Sequence, residues 1–129
     1  MSAVIIIANL TSVDKENKFK NIFDEFYENL KSKKTIVPIY VVKSSGKIVN
    51  FKPEFEGKIT DLMLNIENIH SGKQIELVKS AVIESFSEFY EKAEKKDEIL
   101  LFVKNQINSE SPKTRKVAKE FINRWGESL

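Results

Sequence analysis

Apolar residues follow one another without interruption from Val4 to Ala8 and again from Ile99 to Val103, and each run leads into a polar stretch and then an amphipathic helix. A strand that is apolar on consecutive residues can leave neither face in water, so both runs predict central strands of a sheet covered on both sides. Between and after them the period changes to that of a helix. Phe19, Ile22, Phe23, Phe26, Tyr27 and Leu30 recur at the i, i+3, i+4, i+7 spacing of one helical face, with Asp14 placed to cap it. Ile75, Val78, Val82, Phe86, Phe89 and Ala93 trace a second face, opened by Ser71 and Gln74 at the spacing of a capping box. Val117, Ala118, Phe121, Ile122 and Trp125 trace a third. Ser111 stands at its cap, Pro112 at its first position and Gly126 just past its end.

The remaining segments read as strands. Thr35 to Val42 is rich in β-branched residues, although Pro38 cannot donate to a ladder and places that strand at an edge or a bulge. Ser45 and Gly46 then turn the chain into Lys47 to Phe51, a hairpin. Residues 58 to 69 fit a helix through Ile59, Leu62, Met63 and Ile66, or a strand through Leu62, Leu64 and Ile66, and the strand is preferred. Right-handed crossovers then assemble a three-layer α/β sandwich, a mixed sheet of four to five strands with three helices. The alternative is a ferredoxin-like α+β core with an extra C-terminal helix, which would leave the very apolar Ile99 strand at an edge. No repeat or linker divides the chain, so residues 1–129 are expected to form a single domain.

Composition narrows the chemistry more than it names it. With no cysteine, disulfides, thiolate nucleophiles and sulfur-ligated metals are excluded. The 21 basic and 19 acidic side chains nearly cancel, so any basic footprint must be local. Nothing approaches the ~20 apolar residues of a membrane span, and the N-terminal apolar run has no preceding cation and is too short for a secretory signal. A soluble cytoplasmic protein without membrane contact is expected. Lys and Glu dominate the charged residues, as in thermophile proteins, whereas the many Asn residues argue the other way.

No motif carries catalysis. His70, the only histidine, precedes a helix cap, and no nucleophile signature surrounds any serine. Glu56-Gly57-Lys58 ahead of Asp61 has the acidic-x-Lys spacing of metal-dependent nuclease sites. Such a site also needs an upstream acid on a paired strand; Glu54 is the only nearby candidate, and Pro53 with Gly57 makes the segment look like a loop. No catalytic residue, metal ligand or cofactor is assigned.

Three binding surfaces remain. If the two apolar strands are parallel, their ends bring Asn9, Thr11 and Ser12 beside Lys104, Asn105, Ser109 and Ser111, in front of helix N-termini that favour an anion. Lys113, Arg115, Lys116, Lys119 and Arg124 lie largely opposite the apolar stripe of the C-terminal helix, where they can neutralise phosphates of nucleic acid or form an ordinary solvated face. Leu77, Ile83 and Tyr90 widen the apolar circumference of the second helix, which points to a homo-oligomer interface or to burial within the chain. The functional expectation is a non-catalytic, oligomeric binding domain that meets an anion or nucleic acid through its C-terminal helix. The alternative is a small enzyme acting on an anionic substrate at the strand-end crevice.

Overall fold

A computed structural model describes residues 18–32, 34, 36–70 and 74–126, and among them there is no strand. Seven α-helices follow in order. These are α1 (Lys18–Tyr27), α2 (Ile36–Phe51), α3 (Glu56–Leu64), α4 (Ile66–Ile69), α5 (Ile75–Phe89), α6 (Lys96–Lys104) and α7 (Pro112–Trp125). Short 3-10 turns at Glu28–Lys31, Pro53–Phe55 and Tyr90–Lys92 follow α1, lead into α3 and follow α5. The expected α/β sandwich is therefore replaced by helix packed on helix, and the ferredoxin-like alternative fails for the same reason. The first apolar run, Val4 to Ala8, and the proposed caps Asp14 and Ser71 lie outside the described residues.

The three helices expected from 3.6-residue periodicity are all among the seven. Phe23, Phe26, Tyr27 and Leu30 are buried on α1 and the turn after it. Val78, Val82, Phe86 and Phe89 are buried on α5, and Ala118 and Phe121 on α7. Ser111 caps α7 by accepting a hydrogen bond from the Thr114 amide at 3.3 Å, with Pro112 at the first position and Gly126 at the end. Gln74 precedes α5 without a side-chain cap bond.

The expected strands are helices for identifiable reasons. In α6, Ile99, Leu100, Phe102 and Val103 are buried while Leu101 is 61% exposed. That separates a helix buried on a broad face from a strand buried on both faces, a distinction a run of five apolar residues cannot make. Asp97 and Glu98 in its first turn and Lys104 in its last oppose the helix dipole favourably.

In α2, Pro38, Val41, Val42, Ser45, Gly46, Ile48 and Val49 are buried, a helical stripe whose middle members are small rather than apolar. Ser45 is no turn residue: its hydroxyl donates to the Val41 carbonyl at 2.8 Å and meets the Tyr27 hydroxyl at 2.9 Å. Gly46 faces α5 so closely that a Cβ there would lie 3.1 Å from the Cβ of Glu88 and would displace its carboxylate. Pro38 is tolerated because it falls in the first turn, where the amide has no intrahelical acceptor. The helix stops at Phe51 because Pro53 pushes Lys52 out of the helical region, to φ −133° and ψ 71°. For residues 58 to 69 the helical reading is the one realised, with Ile59, Met63 and Ile66 buried on α3 and α4.

α5 is the central element, packed most extensively on α2 and next on α7. Its broad apolar circumference is accounted for by this position between two helices. One continuous core runs from Phe23 on α1 to Phe121 on α7. Each fully buried Phe, Leu or Ile in it contributes about 1.5–3 kcal/mol relative to exposure. At one end Tyr90, Phe121 and Trp125 form a ring cluster with centroids 4.6–5.1 Å apart, which fixes the end of α7 to the end of α5.

Candidate functional site

A cleft of about 440 Å³ opens where α4, the first turn of α5 and the α6–α7 connection meet. Its walls carry Glu67, Glu76, Lys79, Asn105, Ser109 and Glu110. Lys79 falls four residues after Ile75 and four before Ile83, within the apolar face of α5, so its ammonium must find partners inside the fold. It finds two, Glu67 Oε1 at 2.5 Å and Glu76 Oε2 at 2.8 Å.

Glu76 carries further bonds. Ser109 donates to its other carboxylate oxygen at 2.7 Å, and Thr114 donates to its backbone carbonyl. Burial disfavours the ionised Glu76, but hydrogen bonds from Lys79 and Ser109 and the Lys79 charge outweigh it and hold the carboxyl below its ordinary value. Burial likewise opposes the charged Lys79, and its bonds to Glu67 and Glu76 outweigh that and raise it. The isolated Lys within an apolar stripe was the sequence signal for this cluster, and its carboxylate partners lie 12 residues back and 3 residues back along the chain.

The anion candidates are only partly brought together. Asn105 and Ser109 line the same cleft and the Ser111 amide bonds to Ser109, while Lys104 is exposed at the end of α6; Asn9, Thr11 and Ser12 lie outside the described residues. The crevice expected between parallel strand ends is not formed, because Ile99 to Val103 is helical. The donors an oxyanion would use are committed: Ser109 donates to Glu76, the Ser111 amide donates to Ser109 at 3.1 Å, and the Thr114 amide is capped by Ser111. Among the described residues the walls of the cleft carry three carboxylates to one ammonium, a balance that does not favour an anion.

The basic face of α7 divides into engaged and exposed cations. The Arg115 guanidinium donates to the Ser109 carbonyl at 2.7 Å, Arg124 stacks 4.5 Å over the Trp125 ring, and Lys113 lies 3.8 Å from Glu84. Lys116 and Lys119 are exposed. Of the interface candidates, Ile83 and Tyr90 are buried within the chain and Leu77 is half-buried.

His70 is buried, with Nδ1 3.1 Å from the Leu30 carbonyl and Nε2 without a hydrogen-bond partner among the described residues, so it joins the end of α4 to the turn after α1. The nuclease-like spacing also resolves into structure. Glu56 is buried and accepts bonds from Thr60 at 2.7 Å and the Glu94 amide at 3.0 Å. Lys58 lies over the Phe23 ring, and Asp61 pairs with Lys95 at 2.6 Å. No three acidic or histidine side chains converge as a metal site, and no helix is long and apolar enough to cross a membrane, among the described residues. Comparison with known proteins finds no matching family model, and no curated protein or solved structure matches the chain.

Proposed function

We propose that the chain is a non-catalytic binding module that meets an anionic partner, nucleic acid in the first instance, through the outer face of α7. The observation that carries this reading is the division of the α7 cations. Thr114, Ala118 and Phe121 seat the helix, and Lys116 and Lys119 stand on its exposed side one turn apart. The Tyr90, Phe121 and Trp125 cluster anchors α7 to α5, so binding has only side chains and no helix to order. The non-catalytic part of the reading is supported by what the buried charged side chains do. Glu56 tethers α3 to the Glu94 amide and Lys79 links α4 to α5, which leaves neither available to a substrate.

The test is fluorescence anisotropy with labelled single- and double-stranded DNA and RNA at low salt. Two exposed lysines neutralise about two phosphates, so the logarithm of affinity should fall against the logarithm of salt with a slope of about −1.8 on duplex DNA and about −1.4 on single strands, that of a weak and sequence-tolerant binder. Lys116→Glu with Lys119→Glu should abolish binding with the melting temperature unchanged. Absence of binding to all four probes at the lowest salt would remove the proposal.

A further inference from the structure

A smaller recess, of about 150 Å³, opens between α5 and α7 beside the cationic face. Ile83 on α5 and Val117, Phe121 and Trp125 on α7 supply its apolar surface. The Trp125 and Phe121 rings stand 4.6 Å apart, and the Arg124 guanidinium, also on the wall, stacks over Trp125. An apolar-walled space of this volume is filled by a single benzene-sized ring. The remaining polar groups are acceptors. Glu84 and Glu120 present carboxylates, and the Ser87 hydroxyl donates its proton to the Glu84 carbonyl at 2.6 Å, which leaves only lone pairs for a ligand. Cations stand beside both carboxylates: Lys113 lies 3.8 Å from Glu84, and Arg124 follows Glu120 by one turn. Lys116 immediately precedes Val117 of the apolar wall and stands one turn before Glu120.

We propose, resting on the reading of α7 as a nucleic-acid face, that this recess takes one unstacked pyrimidine of a single strand, cytosine in preference to uracil or thymine, while phosphates of that strand meet Lys116 and Lys119. A paired base keeps its faces in the stack and its edge on its partner, so only an unpaired one can enter beside an aromatic wall. The guanidinium plane on Trp125 extends that wall, since a base stacks on arginine as it does on an aromatic ring. The acceptors set the base. Cytosine carries a 4-amino donor that a carboxylate can accept, whereas uracil and thymine carry a carbonyl there that a carboxylate repels.

The single tryptophan of the chain lines the recess, so its emission reports occupancy. At low salt and slightly alkaline pH, oligo-dC should change Trp125 emission and bind roughly tenfold more tightly than a duplex of the same length, the contribution of one stacked base. Counterion release alone favours the duplex, so a single-strand preference separates insertion from charge attraction. Oligo-dC should also bind several-fold more tightly than oligo-dT. Ser87→Phe should fill the recess and remove both preferences while duplex binding through Lys116 and Lys119 persists. Should that variant fail to fold, which circular dichroism identifies, Glu84→Gln with Glu120→Gln alters only the rim, and its amide donors should abolish or invert the preference for oligo-dC over oligo-dT. Equal affinity for single strand and duplex, Trp125 emission unchanged on binding, or preferences that survive these substitutions overturn the inference and leave the α7 reading standing. No binding to any probe removes both.

Discussion

Glu76 holds Lys79, Ser109 and, through its backbone carbonyl, Thr114, so one residue in the first turn of α5 ties together two helices and a loop. Removing the ammonium at its centre leaves two carboxylates facing each other. Lys79→Met keeps the stem volume and isolates that effect. It should destabilise the chain by about 1–2 kcal/mol at pH 7, less than the loss for a fully buried pair because Glu67 is 57% exposed. The pH dependence has a definite sign. Glu76 is lowered on folding, so its contribution is complete above the ordinary carboxylate value and is lost as pH falls through the folded value. Lys79 is raised, so its contribution is complete below the ordinary ammonium value and is lost as pH rises through the folded one. The gap between wild type and Lys79→Met, followed by urea unfolding, should be widest near neutrality and shrink below about pH 4. A gap independent of pH would mean that ionisation of Glu76 contributes nothing to the loss. At this scale the sequence was only partly legible: Lys79 stands out within an apolar stripe, whereas Glu67 is joined to it only by the way α4 meets α5.

α6 is the element on which the sequence reading and the structure part company, and one pair of substitutions separates the two readings experimentally. A central strand would bury neighbouring residues equally, so Leu100→Lys and Leu101→Lys would both unfold it. In the helix, Leu100 is fully buried and Leu101 points outward. Leu101→Lys should therefore change stability by no more than about 0.5 kcal/mol, and Leu100→Lys should prevent folding or lower the melting temperature by many degrees. Equal damage from both would revive the strand. α2 was missed for a related reason. Its stripe passes through Ser45 and Gly46, which in isolation signal a turn, and only the close approach of α5 explains why small residues are needed there. α7 was read correctly because its cap, first proline, final glycine and stripe agree, and all four are local.

For the whole molecule, the core is continuous from α1 to α7 and the single tryptophan sits at its far end, against Tyr90 and Phe121. Trp125 emission and the 222 nm ellipticity should accordingly trace one superimposable urea transition. An earlier Trp125 transition would make α7 an independently fraying unit and would loosen the face proposed to meet nucleic acid. By itself the sequence determined the amphipathic helices of α1, α5 and α7, their buried stripes and the boundaries of α7. These follow from periodicity and capping, which act within a few turns of chain. Only the tertiary structure decided that the apolar run at Ile99 to Val103 and the β-branched segment from Ile36 are helices. Burial on most sides erases the periodic difference between strand and helix, and the choice passes to whatever the segment packs against. It also decided which charges meet. An ion pair such as Lys79 with Glu67, or a backbone tether such as Glu56 to Glu94, depends on the arrival of another element and leaves no spacing of its own in the chain.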